Sequence, residues 1–333
     1  CVSYAFFRLG QYDDSLAAIE EALATPGLVD EMAAGARSIK ACIHAFRTAA
    51  PDCVDELEEA NRGNRIHGAH VFEFYTFWAL GAHATLTRQT EIARKSFREL
   101  VEFWRETDDR KDVVPGLLCA ATFFSEENDA AGLAECIDIL NTIHSDSESL
   151  EPRSAFAAAC AEEAWLRGSP AESAERFADA LQGYRDLKLP FEQAWLLWRL
   201  AHVQSQAGNA EAAADAWKNA EELAQAFALK PLLRAIQRGR SADSSVSSVP
   251  MLTPRQTETA RLLAEGLTNK EAAEKQQHAL EGVDTEARKH GVTLIRTSQG
   301  FAFAPLSGQK PMAPETFQKL PEDAQKRYQE ATK

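Results

Sequence analysis

Downstream of Gly208 the apolar residues Ala213, Trp217, Ala220, Ala224 and Phe227 recur every three or four positions, the spacing that gathers side chains on one face of an α-helix. Ala174, Phe177, Leu181 and Tyr184 form a second such stripe downstream of Gly168. The two glycines lie forty residues apart, and stepping back by the same interval meets Asn128, Arg88, the TAAPD turn near Ala49, and Gly10. Each of these points is polar or turn-forming. An alanine follows twelve residues after three of the glycines, at Ala22, Ala180 and Ala220, where a small side chain lets neighbouring helices approach closely. A single helix cannot bury its own stripe, so a period of about forty residues predicts hairpins that stack on one another.

The segment GQYDDSLAAIEEAL, from Gly10 to Leu23, has the turn-then-helix pattern of a tetratricopeptide-like hairpin. The fold expected for residues 1–237 is therefore mainly α, an α-solenoid of about six helical hairpins. Pro115, Pro152 and Pro190 fall near predicted helix starts, where a missing N–H costs little.

The pattern changes after residue 237. RGRSADSSVSSVP, residues 238–250, is rich in serine and poor in apolar residues, and reads as a flexible linker. Thr253-Pro254-Arg255-Gln256 then offers an N-cap, a first-turn proline and a capping-box glutamine, and Gly266 is the expected stop of that helix. Thr268-Asn269-Lys270-Glu271 opens a second capped helix. Two capped helices joined by a short glycine-containing turn begin a helix-turn-helix over residues 251–274. Farther on, Val292–Ile295 and Phe301–Pro305, separated by a TSQG turn, predict a small β-hairpin, and Pro314 and Pro321 with the acids that follow them predict two short helices.

Charge divides the chain in the same place. The whole chain has a formal net charge of −14, yet residues 240–333 carry 13 Lys and Arg against 12 Asp and Glu, so the first 239 residues hold the entire deficit. An acidic body repels nucleic acid, which confines any DNA contact to the C-terminal third. The six cysteines are scattered without a CxxC pair and sit mostly in helical apolar patterns, as buried reduced thiols do. There is no run of about 18 apolar residues and no signal-peptide order of basic, apolar and small residues, so a cytoplasmic location away from membranes is expected. The chain begins at Cys1 inside what already reads as helix interior, and a further N-terminal segment is expected.

The stretch AERFADALQGYRDLKLPFEQAWLLWRLAHVQSQAGNAEAAADAWKNAEELAQAF resembles the helical-repeat region of large LuxR-type transcriptional regulators, and LTPRQ…LLAEGLTNKEAAE resembles the start of their DNA-binding domain. The likeness spans residues 1–273. In that family an ATPase module precedes the repeats, but no GxxxxGK[ST] phosphate loop occurs in this chain. The resemblance implies that Arg255, Thr268, Asn269 and Lys270 sit near the DNA backbone, where they position the domain without reading sequence. It also implies a recognition helix after Ala273. The family's Ser-x-x-Thr-Val start to that helix is missing, and EKQQHALEGVDTEARKHG stands in its place. Residues 275–333, through IRTSQGFAFAP and PMAPETFQKLPE, resemble instead the N-terminal region of Lon-like ATP-dependent proteases, without that family's ATPase core or Ser-Lys centre. The two resemblances imply a join between a piece of one family and a piece of another near Ala273. A natural fusion, a rearranged gene and an assembly error are all compatible with the join.

The candidate chemistry is sparse. Phe74, Tyr75, Trp78, Trp195 and Trp198 either line a groove for a ligand or partner or fill the core, as aromatics at helical spacing do. His67 and His70 have the spacing of a helical metal pair without a completing ligand set, and no GxSxG elbow is present. No catalytic residue, metal or cofactor is assigned. The expected function is the sensor and truncated DNA-binding portion of a LuxR-family regulator, with a small-molecule inducer or protein partner on the solenoid and DNA binding weak or lost. The alternatives are an interaction solenoid without DNA binding, and an accessory piece of a Lon-like protease.

Overall fold

The computed structural model describes residues 2–50, 52–106, 111–246, 292–297, 300–307 and 310–311. Thirteen helices account for nearly all of the described residues before residue 247: α1 (Val2–Arg8), α2 (Tyr12–Leu23), α3 (Asp30–Arg47), α4 (Cys53–His67), α5 (Val71–Leu86), α6 (Thr90–Glu106) and α7 (Val114–Glu126), then α8 (Ala130–Ser145), α9 (Leu150–Leu166), α10 (Pro170–Leu187), α11 (Pro190–Gln206), α12 (Ala210–Ala226) and α13 (Lys230–Val246). The fold is mainly helical. The chain divides into two compact units, Cys1–Ser248 and Val249–Lys333.

The turns between helices carry the rhythm of the sequence into the backbone. Arg88, Asn128, Gly168 and Gly208, forty residues apart, all have left-handed φ values between 55° and 78°. A second series stands at Gly68, Lys188 and Ala228. In each case the residue ends one helix in a left-handed turn that reverses the chain, a conformation glycine adopts freely and other residues adopt only when packing requires it.

Burial separates the helices into two kinds. On α10 the stripe Ala174, Phe177, Leu181 and Tyr184 is buried, and on α12 so are Ala213, Trp217, Ala220 and Ala224, while the opposite faces are exposed or partly exposed. Helix α7, VPGLLCAATFFSE, is buried from Val114 to Ser125, as an apolar helix must be when neighbours cover every side. Those neighbours are α5, α6, α8 and α9. Each helix packs on its sequence neighbour, and a second set of contacts runs between odd-numbered helices, α1 to α3, α3 to α5, α5 to α7 and α7 to α9. Helix α13 packs on α3 and α5 as well as on α11 and α12, so the last helix of this unit touches the early ones.

Helix α13 runs through Val246, well into the stretch that the serine-rich composition marks as linker. Its first turns are anchored by Leu232, Ala235 and Ile236, all buried. Beyond them Arg238 donates to the Leu86 carbonyl at 2.6 Å and Arg240 meets Glu221 at 3.0 Å. Such tertiary partners override a local preference for coil.

In the second unit β1 (Val292–Thr297) pairs antiparallel with β2 (Gly300–Ser307), in register from Val292 opposite Pro305 to Thr297 opposite Gly300. Leu306 and Ser307 then pair with β3 (Lys310–Pro311). The predicted helix-turn-helix, the stretch 275–291 and the short helices after Pro314 and Pro321 lie outside the described residues.

Candidate functional site

The five aromatic residues of the candidate groove are all buried, with Trp195 and Phe74 fully so. They belong to the hydrophobic core. Trp78 on α5 meets Phe191 of α11 edge-on, with ring centroids 5.4 Å apart, and Phe191 stacks on Phe46 of α3 at 4.2 Å. Trp195 and Trp198 meet at 5.2 Å, and the Trp195 indole N–H donates to the Thr122 hydroxyl at 3.1 Å. Phe74 packs on Phe103 at 4.9 Å, and Tyr75 on Tyr4 at 4.7 Å. Rings from helices far apart in sequence interlock where α3, α5 and α11 meet in the core. The aromatic periodicity in the sequence reports core at these five positions.

A polar cluster borders these rings. Arg8 at the end of α1 donates through Nη2 to Glu192 Oε1 at 2.8 Å and to Glu151 Oε1 at 2.5 Å, and through Nη1 to the Tyr4 hydroxyl at 3.1 Å. Its guanidinium also lies 5.4 Å from the centre of the Trp78 ring. Burial opposes charge on Arg8, but Glu192 and Glu151 outweigh it and hold the group protonated beyond its ordinary range. Burial pushes the Glu192 and Asp112 carboxyls up, each opposed by Arg8, and lifts the Tyr4 phenol to about 12. Arg8 Nε, Glu192 Oε2 and the Tyr184 hydroxyl are buried without a hydrogen-bond partner among the described residues.

A second buried pair lies farther along α11. Arg199 grips Glu162 of α9 through two parallel bonds of 2.8 Å and reaches Glu126 of α7 at 2.7 Å. Such fork-to-carboxylate geometry fixes orientation as well as charge. Both clusters tie helices together, and neither sets a nucleophile beside a base.

The five described cysteines have the chemistry of core residues. Cys42, Cys53, Cys119 and Cys136 are buried and Cys160 is partly so, and burial raises every one of these thiols, Cys53 to about 11. Protonated thiols are poor nucleophiles and poor metal ligands. The two histidines at metal spacing take different partners, His70 lying 2.9 Å from Glu73 and His67 3.8 Å from Asp30. Among the described residues no group of three or more His, Cys, Asp or Glu is placed to hold a metal, and no helix is long and apolar enough to cross a membrane.

Open space lies on the surface. One cleft of about 380 Å³ sits between α4, α5 and α6, over Leu57, Phe77 and Leu80, and two larger ones flank α3. Arg255, Thr268, Asn269 and Lys270 lie outside the described residues, so the DNA-facing set has no geometry to add. The sequence pattern missed Arg8, Glu192 and Arg199, because single charged residues in amphipathic helices carry no signal of a partner more than a hundred residues away. Compared with models of known protein families and with curated proteins, the chain matches none.

Proposed function

We propose that the chain is the sensor and truncated DNA-binding portion of a LuxR-type transcriptional regulator. Residues 1–237 act as a tetratricopeptide-like α-solenoid of about six hairpins that takes a small-molecule inducer or a protein partner, and residues 251–274 are the opening helices of the DNA reader. The observation that carries the repeat half of this reading is the series of left-handed turns at Arg88, Asn128, Gly168 and Gly208, which repeats one hairpin unit at a fixed interval. The reader rests on the two capping boxes at Thr253–Gln256 and Thr268–Glu271.

A second reading, an interaction solenoid without DNA binding, draws on the acidity of the first 239 residues and on the departure from the family pattern after Ala273. A gel shift at low and moderate salt separates the two. Retention of a duplex from the chain's own upstream region over a random duplex supports the regulator. Equal retention of both at every salt concentration removes DNA reading from this chain and leaves the interaction protein.

A further inference from the structure

The two clefts that flank α3 measure about 740 and 630 Å³, and both are lined by Lys40 and Glu56. Sharing those residues, they run on from one another along the outer face of the helix. Arg37, Lys40, His44 and Arg47 follow one another at intervals of three and four on α3, which places all four on that face. At 1.5 Å per residue they mark out about 15 Å of groove. Arg62 from α4 joins them in the larger cleft and Lys230 from α13 in the smaller.

Most of these cations are unpaired among the described residues, and they gather on one groove. Several exposed arginines elsewhere in this acidic unit meet carboxylates, Arg94 with Glu127 at 2.9 Å, Arg98 with Asp129 at 2.6 Å and Arg176 with Glu172 at 2.9 Å, while Arg153, Arg185 and Arg234 are exposed without an ion pair among the described residues. Within the groove Arg47 is taken by Asp13 at 2.6 Å and His44 by Glu56. Arg37, Lys40, Arg62 and Lys230 form no ion pair among the described residues. With Asp and Glu far outnumbering Lys and Arg over residues 1–239, four unpaired cations around one groove run against the local charge. Glu56 and Glu59 are the carboxylate counterweights on the same walls. Between the charges the lining is apolar, from Leu23, Ala41, Ala60 and Ile66 in one cleft and Leu16 and Ile43 in the other. Ile66 is 76% exposed, the most open large apolar side chain of the described residues.

We propose that this groove is a docking site for an acidic amphipathic segment of a protein partner, about three helical turns long, which lays apolar side chains along Leu23 and Ile66 and sets carboxylates against Arg37, Lys40, Arg62 and Lys230. A nucleic acid fits poorly, because its uniform phosphate charge meets an acidic surround and leaves the apolar lining uncovered. A segment with a few carboxylates on one side and leucines on the other matches both features of the groove. The site belongs to the helical unit and stands whether or not the chain reads DNA.

The test is fluorescence anisotropy on the full chain with a labelled amphipathic peptide of Leu and Glu. A peptide with Gln for Glu, a random DNA duplex as competitor, and the double variant Arg37→Glu/Lys40→Glu complete the set. Both substituted residues are exposed, and a thermal melt establishes that the variant is folded. The Glu peptide is expected to bind saturably and to weaken at least about tenfold on charge reversal, on exchange of Glu for Gln, and with rising salt. The proposal is overturned if the Glu peptide does not bind, if both peptides bind alike, if the folded double variant binds at full strength, or if the duplex displaces the peptide more effectively than unlabelled peptide does. None of these outcomes depends on the promoter preference that the gel shift reads.

Discussion

Arg8 and Glu192, 184 residues apart in sequence, meet at 2.8 Å between α1 and α11. Their side chains are 10% and 1% exposed, so the pair sits out of water. The seven described residues of α1 form barely two turns, and this contact, with the bond to Glu151 on α9, supplies tertiary anchors far along the chain. Removing one partner of a buried pair strands the other charge, whereas replacing both with apolar groups of similar size is far milder. Arg8→Met is expected to destabilise the protein by about 3–5 kcal/mol in chemical denaturation. Arg8→Met/Glu192→Leu should recover much of that loss. A single variant as stable as the wild type would show that the pair does not anchor α1.

A neutral histidine gives the stability a pH dependence. His83 on α5 is buried and its Nδ1 lies 2.9 Å from the Ala45 carbonyl of α3, so Nδ1 carries the proton and Nε2 is the bare nitrogen. Burial lowers its pKa from 6.5. Below pH 6.5 the unfolded chain takes up a proton that the folded site resists, and this contribution to stability is lost as pH falls. His83→Asn keeps a donor toward Ala45 and cannot titrate. Melting temperatures measured from pH 7.5 to 5 should fall more steeply for the wild type than for this variant, and parallel curves would exclude His83 as the source.

Two glycines with similar backbone angles predict different costs. Gly10 and Gly208 have φ of 72° and 78°. A Cβ at Gly10 would come within 2.6 Å of both Phe227 and Pro190, while one at Gly208 meets nothing within 4 Å. Gly208→Ala should cost roughly 1–2 kcal/mol, the strain of a left-handed alanine. Gly10→Ala adds overpacking of about 1–3 kcal/mol against residues near the far end of the unit. Equal losses in urea denaturation would mean that the turn at Gly10 is not packed against Phe227.

The residues of this fold divide into those whose structure follows from local chemistry and those whose structure is imposed from afar. Gly168 and Gly208 announce left-handed turns, and the stripes from Ala174 to Tyr184 and from Ala213 to Ala224 announce buried faces, because both signals are local. Lys188 and Ala228 take the same left-handed conformation with no sequence signal, since packing of the flanking helices imposes it. The persistence of α13 to Val246 was hidden in the same way, its anchors lying at Leu86 and Glu221 on other helices. Trp78 and Trp195 had the right spacing for either a core or a groove, and only the encounter with Phe191 and Thr122 decides for core. The groove along α3 was invisible because cations on one helix read as an ordinary solvated face until Arg62 and Lys230 from other helices are set beside them.

The reading of the chain as a regulator is tested most directly by DNA binding of the full chain with and without the proposed backbone contacts. Wild type and Lys270→Ala are titrated, across a range of salt, with a duplex from the chain's own upstream region and with a random duplex. The account predicts weak wild-type binding, because the truncated reader keeps its backbone contacts, with a small preference for the upstream duplex. Lys270→Ala should weaken binding to both duplexes alike and lower the slope of log affinity against log salt by about 1, the loss of one phosphate contact. No preference in the wild type, together with a salt slope that Lys270→Ala leaves unchanged, would contradict it.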